Sequence, residues 1–208
     1  MTASIPSPRL DLIPMTPAFL RASVRRDFPE AERELQASVP TEWPGEHADV
    51  LSLWVKQLDS EPSLQQWLAR ATVHRGTGIM IGHIGFHTAP GEDYLRPFAP
   101  GGVELGFTVF PSFRRQGYAR EASIALMRWA HRVHDVRSFV MSIRPDNVPS
   151  QALAARLGFV RVGSHVDEVD GLEEVFRFCP PVVDRGAGTA GPLAAESRRT
   201  SGVYPWWN

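Results

Sequence analysis

Arg114-Arg115-Gln116-Gly117-Tyr118-Ala119 stands between a run of strand character, Val103 to Phe110, and a run of helix character, Arg120 to His134. A strand that passes into a helix through a glycine leaves the first helical N–H groups without intrahelical partners, pointing back at the turn. Those donors, with the positive end of the helix dipole, make a site for a phosphate or pyrophosphate. Gly117 admits close backbone approach, Ala119 keeps the entrance narrow, and Arg114, Arg115 and Arg120 add positive charge. No G-x-x-x-x-G-K-[ST] loop and no G-x-G-x-x-G after a strand occurs in the chain, which sets aside a P-loop and a dinucleotide fold. A phosphate-bearing cofactor is therefore expected at this turn.

A second block lies downstream: Arg144-Pro145-Asp146-Asn147-Val148-Pro149-Ser150, then Ala152-Leu153, then Leu157-Gly158-Phe159. In spacing and order the two blocks resemble the GNAT superfamily of N-acetyltransferases, especially the branch of ribosomal-protein N-terminal (RimJ/RimL-type) acetyltransferases. The resemblance extends over residues 8–179. It implies an α/β (α+β) fold, a mixed and largely antiparallel central sheet of six to seven strands with helices on both faces. It also implies acetyl-CoA as cofactor. In the family, R/Q-x-x-G-x-G/A binds the pyrophosphate, which here is Arg114, Arg115, Gln116, Gly117, Tyr118, Ala119 and the adjoining Arg120. The N-x-x-S helix, with Asn147 and Ser150, follows along the pantetheine arm. A bulge in the strand before the turn frees a backbone N–H for the thioester carbonyl, at Phe107, Thr108 or Val109.

Acetyl transfer to an amine requires removal of a proton from the amine, donors for the developing oxyanion and a proton for the departing thiolate. Glu104, in Val103-Glu104-Leu105-Gly106-Phe107, is the candidate base, acting directly or through water as the resemblance implies. Desolvation between Val103 and Leu105 would make it a better proton acceptor, while a solvent-facing carboxylate or a structural ion pair is the alternative. Many relatives carry tyrosine four residues after the serine of N-x-x-S; here Ala154 stands there. Ser150 is the nearest substitute as leaving-group acid, with helix capping as its competing role, and capping competes at Asn147 as well. His83 and His87 share one face of a strand, and the resemblance implies that His83 or His87 lines the acceptor pocket, which this strand borders in relatives. They and the pair His131 and His134 lack a third ligand at metal-binding spacing, so no metal is expected. Trp43, Trp54 and Trp67 read as core, Trp43 between prolines being the best exposed candidate.

The formal net charge of −1 in 208 residues gives no basic field, which argues against nucleic-acid binding despite Arg114, Arg115, Arg120, Arg128, Arg132 and Arg137. The single cysteine, Cys179, excludes an intrachain disulfide framework and a covalent acyl-enzyme near the motif. Prolines and no apolar core in Met1 to Pro17 argue against a signal peptide, and no apolar run has membrane-spanning length, so a cytoplasmic protein is expected. Acidic residues in Phe28 to Pro44 and Glu168 to Glu174 favour a cationic amine acceptor, against an ordinary solvated surface. A non-catalytic acyl-CoA-binding module is the rival function, and a homodimer is allowed.

The elements that must position these residues follow from periodicity and turn chemistry. Arg9 to Ile13 alternates as a strand. Thr16-Pro17 starts a helix continuing to Asp27, and helical stretches are predicted over Glu30 to Gln36 and Glu46 to Leu58, with another short helix before Trp67. Leu68 to His74 and Ile79 to His87 are strands around Thr77-Gly78, and Thr88 to Gly102 is a loop. Helix Gly117 to His134 carries Ala122, Leu126, Trp129, Ala130 and Val133 on one face. Ser138 to Ile143 is a strand, Val148 to Leu157 a helix, and Phe159 to Val169 and Leu172 to Phe178 form a hairpin around Asp170-Gly171. With 43% hydrophobic residues, positions 1–179 form one domain. Positions 180–208 form a Pro/Gly/Ala-rich tail ending in Tyr204, Trp206 and Trp207, either mobile or docked.

Overall fold

The computed structural model describes residues 2–167, 171–181 and 206–207. Its elements are β1 (Ile5–Pro6), β2 (Leu10–Pro14), α1 (Pro17–Val24), α2 (Phe28–Leu35), α3 (Ala48–Ser60), β3 (Arg70–His74), β4 (Ile79–Phe86), β5 (Val103–Val109), α4 (Tyr118–His134), β6 (Phe139–Ile143), α5 (Val148–Leu157), β7 (Val160–Asp167) and β8 (Gly171–Phe178). Among the described residues the sheet has eight strands, in the order β1-β2-β3-β4-β5-β6-β8-β7. The strand beyond the expected six to seven is β1, two residues paired with Leu12 and Asp11, too short to leave an alternating pattern. Every pairing is antiparallel except β5 with β6.

Local chemistry sets the helix starts. Thr16 caps α1 by accepting from the Phe19 N–H, with Pro17 at the first helical position. That helix stops at Val24 instead of running to Asp27, because Asp27 is itself a cap: its carboxylate accepts from the Glu30 N–H and opens α2. The short helix before Trp67 is a 3-10 turn over Pro62–Gln66.

Apolar side chains pack on both faces of the sheet. Leu126, Met127 and Ala130 of α4 and Leu157 of α5 meet Leu105, Phe139 and Phe178 on one face. Phe19, Leu35 and Leu51 of α1, α2 and α3 meet Ala71 and Val73 of β3 on the other. Each of the Leu, Met, Phe and Val side chains among them stabilises the fold by roughly 1.5–3 kcal/mol. Val133, expected on the inner face of α4, is 61% exposed. It lines a surface groove with Trp129 and His134 in the last turn of that helix. Trp43 is fully buried rather than exposed, its indole N–H donating to Ser23 Oγ at 2.8 Å; the flanking prolines mark a turn that tucks the ring inward.

Trp206 and Trp207 are docked. Trp207 is buried against Phe139 and Phe178, with ring centroids 6.2 and 5.4 Å apart, and the Trp206 carbonyl accepts from Arg128. The remainder of the expected tail, residues 182–205, and the expected turn at 168–170 lie outside the described residues.

Candidate active site

Between β5 and α4 the chain makes one 3-10 turn, Pro111–Phe113, and then takes positive φ at Arg115 (61°) and Gly117 (84°). Arg114 Nε donates to the Val109 carbonyl at 2.9 Å and folds the loop back over the end of β5. The Glu121 N–H bonds to the Gly117 carbonyl at 3.1 Å. The N–H groups of Tyr118, Ala119 and Arg120 therefore precede the helical ladder and stay at its positive end. A Cβ on Gly117 would meet no protein atom nearer than Arg9 Nη2 at 3.5 Å. Glycine is required here by its backbone conformation, and the space above it stays open.

This turn forms one wall of a cavity of about 700 Å³. Phe107, Thr108, Val109, Arg114, Arg115, Gly117, Tyr118, Ala119, Arg120 and Asn147 all line it, together with Ala152, Leu153 and Arg156 of α5. Gln116 does not: its side chain turns to the Ser112 carbonyl and its own carbonyl accepts from Arg9. The ring of Tyr118 is buried, leaving mainly its backbone to the loop.

The cavity continues through an opening in the sheet. β5 and β6 pair only at Val103 with Phe139 and Glu104 with Val140, and then diverge. The Phe110 N–H bonds to Ile81 of β4, and the Glu104 carbonyl accepts from His87 just past β4. Even-numbered residues of β5 thus direct their backbone groups at β4, and odd-numbered ones point away from it. The N–H groups of Phe107 and Val109 accordingly face the opening, while that of Thr108 is spent on β4, which narrows the expected set of oxyanion donors.

Beyond the opening lies a second cavity of about 820 Å³, which shares His47, Phe107, Thr108, Asn147 and Pro149 with the first and is also lined by Ser150. Register places His83 opposite Thr108 and Gly85 opposite Gly106, so His87 comes beside Glu104 on the same face, as the period of two predicts. Glu104 is 4% exposed and lines neither cavity. Its Oε1 accepts from the Ser142 N–H at 3.1 Å, and its Oε2 lies 3.7 Å from His87 Nδ1. The His87 ring lies over Gly106, where a Cβ would come within 2.6 Å of Nε2, and it lines the cavity. Tyr94 lies near Glu104: burial, then the carboxylate's charge, raise its phenol above the usual range.

The acetyltransferase (GNAT) domain family matches residues 9–160. The chain belongs to the GNAT acetyltransferase family. It is 27% identical over 89 residues to the uncharacterized N-acetyltransferase YnaD of Bacillus subtilis (strain 168), a match covering 43% of this chain and 48% of that protein. Over 156 residues it is 26% identical to the uncharacterized N-acetyltransferase YjdG of the same organism, covering 73% of this chain and 86% of that protein. The structure of Mycobacterium smegmatis RimJ in complex with CoA-disulfide superposes with a TM-score of 0.59 at 18% identity, covering 86% of this chain and 88% of that one.

On the second motif of this acetyltransferase the structure separates roles that the sequence left open. Asn147 is the cap of α5, its Oδ1 accepting from the Ser150 N–H at 3.2 Å. Ser150 is thus not the cap, and it lines the second cavity. Ala154 is fully buried and lines neither cavity. The histidine pair on α4 also dissolves: His131 Nδ1 lies 2.9 Å from the Val136 carbonyl, while His134 packs against Trp67 and Trp129. Among the described residues no group of three or more His, Cys, Asp or Glu is arranged to hold a metal, and no helix is long and apolar enough to cross a membrane.

Two groups escaped the sequence reading. Ser142 lines the second cavity and carries a buried hydroxyl without a hydrogen-bond partner. Arg9 grips the pyrophosphate-type turn: Nε meets Glu121 Oε2 at 2.7 Å, Nη1 donates to the Gln116 carbonyl at 3.2 Å, and the guanidinium lies 4.5 Å over the Tyr118 ring. Ser7 Oγ and the Arg9 N–H both donate to the same Glu121 carboxylate at 2.7 Å. No motif announces these contacts, whose hydrogen bonds join positions 107 to 114 residues apart.

Proposed function

We propose that this chain transfers the acetyl group of acetyl-CoA directly to a primary amine held in the same continuous cavity, within a ternary complex and in the cytoplasm. The carrying observation is that continuity: a phosphate-type turn with three unladdered N–H groups at one end, free strand N–H groups at the opening, and a histidine–carboxylate pair beyond it. The turn fits an anionic pyrophosphate in donor set, charge and open space above Gly117. Acetyl-CoA supplies the activated acyl carbonyl.

The chain's own residues then divide the work. His87, which lines the cavity, takes a proton at Nε2 from the ammonium form of the acceptor. Glu104, 3.7 Å from Nδ1, stabilises the imidazolium and orients the ring. The Phe107 and Val109 N–H groups donate to the carbonyl oxygen as the nitrogen–carbon bond forms and the carbon–sulfur bond breaks. The Ser150 hydroxyl relays the second nitrogen proton to the departing sulfur. One proton in all is released for each acetyl group moved.

The test is thiol release from acetyl-CoA against a panel of primary amines. His87→Gln and Glu104→Gln should each lower kcat by roughly 10²–10⁴-fold, the usual scale for general acid–base catalysis, and should flatten the acidic limb of the pH–rate profile. Acetyl-CoA binding with no thiol release for any amine would make the chain a binding module instead.

A further inference from the structure

The far end of the second cavity has a composition unlike the rest of it. Its wall from α3 is His47, at the helix start, with Val50 and Trp54 at helical spacing, and its wall from β4 is His83. Rings meet there edge to face: His47 with His83 at 4.9 Å and 84°, Trp54 with His83 at 5.8 Å and 76°. Trp43 closes the back, 5.6 Å from His83. The charged residues on the cavity wall, Arg144, Asp146 and Glu173, belong to β8 and the segment from β6 to α5, across the opening. His83 is 8% exposed, and its Nε2 is buried without a hydrogen-bond partner. Burial, and secondarily the charge of His47, push its pKa down to about 3, so the ring is neutral at physiological pH.

We infer that this end of the cavity receives a planar aromatic ring bearing a polar edge atom, so that the acceptor is an arylalkylamine or a polypeptide whose first residue carries such a ring. The inference rests on the acetyl-transfer reading above and names the substrate class for it. A polyamine or aminosugar would bring positive charges to a wall whose polar groups are imidazoles, one of them held neutral. An aromatic ring instead finds ring edges and faces, the geometry in which aromatic groups attract one another. A phenol hydroxyl or indole N–H would supply the partner that His83 Nε2 lacks, and a buried polar atom gains most from acquiring one.

The experiment compares kcat/KM for tyramine, phenethylamine, hexylamine, spermidine and a tyrosine-initiated tripeptide, with acetyl-CoA affinity measured separately by calorimetry. Tyramine or the tripeptide should exceed hexylamine and spermidine by about tenfold, as expected for ring packing plus one hydrogen bond; the better of the two identifies the source of the ring. His83→Phe should collapse the ratio of tyramine to phenethylamine, and Trp54→Leu the ratio of phenethylamine to hexylamine. A preference for spermidine or hexylamine, or ratios unmoved in both variants, overturns this inference and leaves acetyl transfer standing. Acetyl-CoA bound with no thiol release for any amine overturns the acetyltransferase reading and this inference with it.

Discussion

Replacing Arg9 by alanine removes the residue that fastens the turn between β5 and α4 to the N-terminal segment. The Arg9 side chain is 44% exposed and that of Glu121 13%, so their ion pair is partly screened and contributes about 0.2–1 kcal/mol. The guanidinium over Tyr118 adds about 0.5–1 kcal/mol. The total of about 0.7–2 kcal/mol holds the turn in place, and at about 1.4 kcal/mol per tenfold its loss should raise KM for acetyl-CoA roughly three- to thirtyfold. In the proposed complex the turn meets the pyrophosphate and not the reacting atoms, so kcat at saturating acetyl-CoA should hold. Arg9→Lys keeps the charge and loses the fork and the stacking, so it should recover only part of the affinity. Burial raises the Glu121 pKa, yet the Arg9 N–H, the Ser7 hydroxyl and the Arg9 guanidinium outweigh it and leave it below the ordinary value. A depressed carboxylate stabilises above its unfolded pKa, about 4.3. The clamp is therefore complete at neutral pH and is lost as pH falls through the lower folded value. Thiol-release kinetics at varied acetyl-CoA, with thermal unfolding of each variant, provide the assay. An unchanged KM in Arg9→Ala would refute the argument, and a lower melting temperature beside it would make Arg9 a structural tie only.

Other perturbations separate roles at single positions. Gly117→Ala forces an L-residue into the left-handed region, which costs about 1–2 kcal/mol, and Gly117→Glu adds bulk and negative charge where a pyrophosphate would lie; calorimetry should show weaker acetyl-CoA binding in the first and none in the second, with circular dichroism unchanged. Asn147→Ala should lower stability by about 1 kcal/mol through loss of the α5 cap, measured by urea unfolding. Ser150→Ala should leave the melting temperature in place and lower kcat about tenfold, below the usual range for proton-transfer groups because a thiolate leaves with limited help; a lowered melting temperature at unchanged kcat would refute its assignment. Trp207→Ala should destabilise by about 3 kcal/mol, as for other buried large-to-small aromatic changes, and an unchanged unfolding midpoint would refute the docking of the C-terminus.

What the sequence determined by itself was local. The glycine of the turn, the caps at Thr16 and Asn147 with the prolines that follow them, and the alternation that puts His83 and His87 on one face are all encoded within a few residues. Backbone dihedral preferences and capping act over that range, and the motif order was enough to place Gly117 and Asn147 on one cavity. Tertiary structure decided what depends on which strands become neighbours. The divergence of β5 from β6 after two residue pairs selects Phe107 and Val109 as the outward donors. Register sets His87 beside Glu104, so the carboxylate that read as the base is buried behind a histidine that lines the cavity. Arg9 meets Glu121 and Trp207 enters the core through contacts between distant positions, formed because burial and charge pairing act on whatever surfaces the fold brings together, whatever their separation along the chain.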